Sequence, residues 1–449
     1  MFAPASSKVP RRTIWAWALY DWAAQPFFTV VLTFIFGPYF QNFVAPSAAQ
    51  GQAWWGYGSA AAGLAVALTA PFFGAFVDQS GQRRRWLIVS MALMTLGLSV
   101  TWAAEPGAAH LAVLILGGVV IATLGAEYGI LITNAMMTDL VDEENIGKLS
   151  GFGWAIGYLG GLALLVFVML AFVFPDQAAF GLDKAAHEPD RIVGPLSILW
   201  LWVFTLPLLF LMPARSTAIQ QDQGSAFSAL RAVMRRWRQF KNILLFMVAR
   251  MLYYDGVTAV YLFGGLYAAG TLGWDITQLG IFGLVLILAG AAGTLIGGRL
   301  DDALGSKRTI ILSLLGIIAA VLGILSIEPG RILFVVPVEM HRPGDGFGSI
   351  PAAAMLAFGV GVGLFLGPVQ SASRTMMARI APTQEMNTFF GLYALTGRAT
   401  AFVAPLVVAI LTSATGSRRI GIAAIVVLLL AGLALLMRVK EERSRARFT

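Results

Sequence analysis

The 449-residue chain contains no cysteine and only three histidines, and charged residues make up 12% of it. Without cysteine there are no disulfides, thiolate metal sites or cysteine nucleophiles, and the redox compartment leaves no mark. Soluble domains carry about a quarter charged residues, so this scarcity excludes a soluble enzyme. The sequence has no Gly-Lys-Ser/Thr phosphate loop, no His/Glu zinc motif and no Gly-x-Ser-x-Gly elbow. ATP-driven transport and hydrolase chemistry are therefore disfavoured, and neither an enzyme nor a cofactor is expected. Residues 1–10 include Lys8 but no apolar run, so no cleavable signal peptide is expected.

What the chain has in excess is apolarity. It is 58% hydrophobic with 49 glycines and a mean hydropathy of +0.77. Apolar runs long enough for a bilayer, about 20 residues each, cover residues 14–43, 53–76, 86–103, 111–137, 149–174, 195–212, 242–269, 279–298, 309–327, 350–377, 388–411 and 420–437. Unbroken apolarity predicts helices, because barrel strands alternate over about ten residues. The prolines at 337, 343 and 351 mark 331–350 as an external loop between spans nine and ten.

Alternate connections differ sharply in charge. One side carries 23 Lys and Arg, with Arg374 and Arg379 counted among them; the other carries six, and Arg250 and Arg398 remain inside spans. The positive-inside rule places both termini in the cytoplasm. The basic surplus is thereby explained as topology, with no independent support for nucleic-acid binding. The longest cytoplasmic connection divides the chain into an N-terminal six-helix bundle (1–213), a linker (214–241) and a C-terminal six-helix bundle (242–449). Within the linker Phe227, Leu230, Met234, Trp237 and Phe240 repeat at helical spacing opposite Arg231, Arg235, Arg236 and Arg238. That pattern predicts an amphipathic helix on anionic headgroups.

The halves echo one another. Gly74, Asp78, Gly81, Arg83 and Arg84 follow span two, and Gly297, Asp301, Gly305, Lys307 and Arg308 follow span eight. Met136-Met137-Thr138-Asp139-Leu140 pairs with Met376-Met377-Ala378-Arg379-Ile380, and Tyr20-Asp21 with Tyr254-Asp255. Five charged residues fall well inside spans: Asp21, Glu127, Arg250, Asp255 and Arg398. Such residues are expensive in lipid unless they are paired or face water, so they are expected to line a cavity between the halves. Asp21, one to two turns into span one, fits structural pairing or solute contact. Glu127 fits proton coupling or a permanent pair with Arg250 or Arg398. Arg398 fits an anion anchor or a fixed counter-charge. All three histidines fall in predicted external loops, so any proton coupling has to use a carboxylate.

The duplicated Gly-x-x-x-Asp-x-x-Gly-x-basic-basic turn resembles the signature of the major facilitator superfamily. The resemblance implies an all-α membrane protein of twelve transmembrane helices in two pseudo-symmetric six-helix bundles. It further implies that Asp78 approaches the start of span eleven near Asn387 and Thr388, and Asp301 that of span five near Lys148 and Ser150, as conformational latches. Finer resemblance is to the vacuole-effluxer-like branch, which includes autophagy-related amino-acid effluxers. It rests on the Trp17-Ala18-Leu19-Tyr20-Asp21-Trp22-Ala23 segment, on the glycine-rich 149–161 segment and on 389–398. Ala24 stands where that family usually has Asn. The implied function is secondary transport of a small polar solute, in the family's case an amino acid, by a monomer in a bacterial inner membrane. The alternative is a non-transporting scaffold or sensor that keeps the fold. The partners expected are a solute, lipid and coupling protons.

Overall fold

The computed structural model of this chain describes residues 7–212, 235–274, 276–342, 346–398, 400 and 403–441. Among these residues, eleven helices are long and apolar enough to cross a membrane. The first half contains α1 (Arg11–Pro26), α2 (Ala48–Ser80), α3 (Arg83–Ser99), α4 (Ala112–Leu140), α5 (Ile146–Val168) and α6 (Val193–Leu211). The second contains α7 (Lys241–Leu272), α8 (Ile276–Leu304), α9 (Ser306–Leu325), α10 (Ile350–Ile380), α11 (Met386–Arg398), α12 (Val403–Thr415) and α13 (Arg418–Arg438). The span expected over 388–411 is thus two shorter helices, α11 and α12, and together they supply the twelfth crossing. Of the expected linker helix, 213–234 lies outside the described residues. Phe240 packs edge-on against Phe389 of α11 at 5.1 Å, and Arg236 pairs with Glu385.

Span one is longer than its apolar run predicts. Beyond α1 it continues through π-helical turns at Phe27–Phe34 and Phe40–Val44, giving one apolar stretch from Arg11 to Val44. Proline is the physical reason for the irregularity: it has no N–H to give the carbonyl four residues back. Pro26 leaves the Trp22 carbonyl without its helical donor, and Trp200 Nε1 of α6 donates to it instead at 3.2 Å. Because the helix begins at Arg11, Asp21 sits ten residues in, about 15 Å along the axis, deeper than the expected one to two turns.

Side chains such as Trp17, Phe27, Phe36, Phe246 and Tyr253 are fully buried, while Val113, Phe174, Phe210 and Val427 stand exposed on the outside. An apolar exterior around an apolar core suits lipid as the solvent, where contacts among small and well-fitted side chains drive helix association. The stretch expected as a loop over 331–350 holds a two-stranded antiparallel hairpin, β1 (Arg331–Ile332) and β2 (Val336–Pro337). His341 ties this loop to the end of α7, its Nε2 lying 2.9 Å from the Leu272 carbonyl. The described chain ends meet at the opposite face. There the Lys8 amide donates to the Leu140 carbonyl at 3.0 Å, and Glu441 accepts from the Ser306 and Lys307 amides at 2.7 and 3.0 Å. Both glycine-containing turns lie at this end, called here the motif face.

Candidate functional site: a charged cavity between the halves

A cavity of about 300 Å³ lies between the halves, lined by α1, α4 and α5 from one and α7, α10 and α11 from the other. Those two sets occupy equivalent places in the repeat. Asp21 and Gln25 of α1 and Phe28 of the π-helical turn that follows it line the cavity, at intervals that keep them on one helical face. Glu127, Leu131 and Asn134 do the same from α4. Aromatic walls come from Trp154, Tyr254, Phe390 and Tyr393. The lining carboxylates, Asp21 and Glu127, belong to the first half, and the lining guanidinium groups, Arg250 and Arg374, to the second.

Arg374 corrects the sequence reading, which counted it with the cytoplasmic loops. It is 4% exposed and joins three elements of the other half at the cavity floor. Nη1 donates to Asp21 Oδ2 and to Asn134 Oδ1, each at 3.1 Å. Nε donates to Ser150 Oγ at 2.9 Å and Nη2 to the Ser150 carbonyl at 2.6 Å. A buried guanidinium is stable only with a counter-charge and hydrogen bonds of this sort. Asn134 and Arg374 are also repeat counterparts, 240 residues apart like the Met-Met segments, so the floor lies where the two halves present equivalent positions to each other.

The other cavity charges fare differently. Asp21 is paired with Arg374 at 3.1 Å. Arg250, 4% exposed, is held between the rings of Tyr254 and Tyr393, with 4.6 and 3.4 Å to their centroids. Glu127 lines the cavity on the facing half. Asp255, against expectation, is not among the lining residues; it is 2% exposed with no hydrogen bond to Oδ1 among the described residues. Five residues from Arg250, it falls on another side of α7. Arg398 ends α11, and its side chain lies outside the described residues. Ala24, at the family's Asn position, is buried away from the lining.

On the motif face the acids act as caps supplied from the other half. A helix N-terminus leaves backbone N–H groups unpaired and carries partial positive charge, so a carboxylate placed there is favourable. Asp78 accepts from the Asn387 and Thr388 amides at the start of α11, at 3.3 and 2.8 Å, and from both side chains at 2.6 and 2.9 Å. At the start of α5 the equivalent cap is Asp302, not Asp301, accepting from the Gly147 and Lys148 amides at 2.7 and 2.9 Å. The expected assignment of Asp301 and Gly297 was therefore one residue out of register. The true counterparts are Gly74 and Gly298, Asp78 and Asp302, Gly81 and Gly305, Arg83 and Lys307, Arg84 and Arg308, all 224 residues apart. Gly81 and Gly305 have φ of +64° and +90°, a region that penalises any Cβ. Lys307 Nζ donates to the Met437 carbonyl at 2.7 Å, and the Arg84 guanidinium lies 5.9 Å from the Phe210 ring.

Asp301 is instead committed to its own half. It pairs with buried Arg379 at 2.6 Å and accepts from Ser306 Oγ at 2.8 Å. In the first half Arg83 pairs with Asp139, the counterpart of Arg379, with the signs exchanged. This separates two roles experimentally. Asp302→Asn, which turns an amide toward two N–H groups, should lengthen spin-label distances across the motif face with little change in melting temperature. Asp301→Asn should leave those distances alone and lower stability by removing the closest of the three carboxylates on buried Arg379, which keeps Asp302 and Glu441 at 3.4 Å each. Identical behaviour of the two variants would undo the distinction.

Comparison with known proteins agrees with this architecture. A family model described as "Vacuole effluxer Atg22 like" matches residues 132–448. The "Uncharacterized MFS-type transporter YxiO" of Bacillus subtilis is 24% identical over 441 residues, covering 96% of this chain and 95% of that protein. Autophagy-related protein 22-1 of Neosartorya fischeri is 26% identical over 314 residues, covering 66% of this chain and 49% of the relative, so the chain spans about half that protein's length. Among solved structures, a bacterial homologue of the iron transporter ferroportin in an outward-facing state superposes with a TM-score of 0.69 at 15% identity, covering 95% of this chain and 98% of that one. The proton:xylose symporter XylE gives 0.68 at 12% identity, covering 96% of each chain. The paired bundles, the two acid-capped turns at the motif face and a family match over more than half of the sequence place this chain in the vacuole effluxer Atg22-like family of the major facilitator superfamily.

Proposed function

We propose that this protein is a secondary transporter that moves a small polar solute, with amino acids as the first class to test, by alternating access around the central cavity. The observation that carries the reading is the polar floor beneath an aromatic-walled cavity. The inter-half bonds of Asp78, Asp302, Ser150 and Arg374 all lie between the cavity and the motif face, leaving the solute's path toward the other side. Rocking the halves would exchange these caps for contacts at the opposite end. By the charge bias of its connections the motif face is cytoplasmic, in a bacterial inner membrane. The amino-acid assignment draws on the resemblance carried by the sequence motifs and on the presence of both charge signs in the lining, which suits a zwitterion.

The test is solute counterflow and gradient-driven uptake by the full chain in proteoliposomes, against empty liposomes. Flux of at least one amino acid is expected. Zero flux for amino acids, peptides, sugars and nucleosides, even under a proton gradient, would favour the scaffold reading. Glu127 is the carboxylate proposed to carry the coupling proton, because it lines the cavity mid-span. Glu127→Gln should abolish proton-driven accumulation while counterflow persists, since exchange needs no net proton movement. Wild-type accumulation in that variant removes Glu127 from coupling.

A further inference from the structure

Two arginines line the cavity, and their hydrogen bonding differs in kind. Arg374 is engaged through Nε, Nη1 and Nη2, with the Asp21 carboxylate among its acceptors. Arg250 is equally buried, yet its two hydrogen bonds both leave from Nη1, to the Tyr393 carbonyl at 2.9 Å and to Thr396 Oγ1 at 3.1 Å. The Tyr393 hydroxyl is also close. Every one of these oxygens is neutral. Nε reaches no acceptor, and Arg250 forms no ion pair among the described residues. A guanidinium has five N–H donors in a planar fork, and the Nε/Nη2 edge is the one that grips a carboxylate through two parallel bonds. In Arg250 the Nε of that edge is left without an acceptor.

The surroundings hold the group still at the cavity wall. Tyr254 and Tyr393 flank the guanidinium and fix its plane. Gly397 of α11 also lines the cavity, and a Cβ on it would come within 3.3 Å of both Nη atoms. The missing side chain keeps that approach to the cation open. A buried cation whose hydrogen-bond acceptors are all neutral lacks a bonded anion, Asp255 of the same helix acting on it only through space, and the cavity is where one can enter.

We infer that Arg250 anchors a carboxylate on the transported solute, so that the site takes carboxylate-bearing solutes in preference to sugars or to amines that have no acid group. The inference rests on the transport reading for its biological sense, while its test is a binding measurement. A solute with an amine as well would place that group toward Glu127, on the facing half of the same cavity.

The experiment uses the purified full chain and measures binding, by thermal shift and calorimetry, of the standard amino acids, their primary carboxamides, the matching monocarboxylates without an amine, and inorganic phosphate. At least one acid should bind, with its carboxamide about 10- to 100-fold weaker, the range for hydrogen bonds to charged groups. Arg250→Lys, which keeps the charge and loses the fork, should weaken the acid by a similar factor and leave the amide unchanged. Gly397→Ala, which covers the guanidinium without removing it, should also narrow the acid-to-amide ratio, and it supplies the answer should the Arg250 variant not fold. Equal binding of acid and amide, unchanged affinity in both variants, preference for phosphate, or no binding by any acid overturns the inference. Acid-selective binding without flux in proteoliposomes would leave the anchor standing and remove the transport reading; flux of acid-free solutes alone would do the reverse.

Discussion

Replacing Arg374 by alanine is expected to lower stability by about 3 to 5 kcal/mol, the range for removing one partner of a buried ion pair, and to open the cavity floor toward the motif face. The substitution strands Asp21 inside its span and removes the guanidinium bonds to Asn134 and to both oxygens of Ser150. Because the chain has no cysteine, Gln370→Cys places a single thiol on the cavity wall. In the parent that thiol should react with a membrane-impermeant reagent only from the side opposite the motif face. With Arg374→Ala added it should react from both sides. Removing Asp21's charge at the same time, as Asp21→Asn, should restore part of the lost stability, since the two effects belong to one interaction and are not additive. One-sided labelling and an unchanged melting temperature in Arg374→Ala would show that the floor is held elsewhere.

The second large effect is expected from Gly74→Val. A Cβ at Gly74 would stand 2.2 Å from the Asn387 carbonyl oxygen, and its counterpart at Gly298 2.6 Å from the Gly147 carbonyl. The same crossings bring Gly391 to 2.4 Å from the Ala70 carbonyl and Gly151 to 2.3 Å from that of Thr294. These neighbours are backbone atoms of helices and have no rotamer through which to move aside. Overpacking by a methyl or more costs about 1 to 3 kcal/mol. Here that penalty falls on the sealed arrangement alone, because the contact exists only between the halves. A penalty of about 2 kcal/mol shifts a two-state population about 30-fold. Gly74→Val should therefore keep its fold, expose the Gln370→Cys thiol to the motif face and stop transport. Gly63→Ala on the same helix has open space around it and should behave as the parent. Equal labelling patterns for the two variants would argue against the crossing as the hinge of closure.

Some of this architecture is legible in the amino-acid order because lipid judges each span separately. A run of apolar residues has to become a helix whose backbone is satisfied internally, whatever its neighbours do. The span positions, the division into halves and the need for buried charges to face a cavity follow from that requirement. The break in span eleven is less visible, since Arg398 is the only charge in 388–411.

Other features turn on geometry that one strand of text does not contain. Asp301 and Asp302 are adjacent acids after the same glycines, and a helix turns about 100° between neighbours. One therefore reaches the α5 amides of the other half while its neighbour makes the closer pair with Arg379. Only the packing of α8 decides which. The glycine spacing alone held a clue, since Gly298, Asp302 and Gly305 match Gly74, Asp78 and Gly81 without a gap. Arg374 resembled a loop residue because it sits near the end of an apolar run. In the structure α10 continues to Ile380, and the partner that makes its burial tolerable, Asp21, lies 353 residues away in sequence. Hydrophobic periodicity carries no record of such distant pairing. What the sequence by itself determined was the set of membrane helices, their repeat and the charges the bilayer would not tolerate. Which arginine seals the floor, which one lines the cavity without a bonded anion and which aspartate caps the other half were decided by tertiary structure, because charge in lipid is stabilised only by the specific groups that packing brings within a few ångströms.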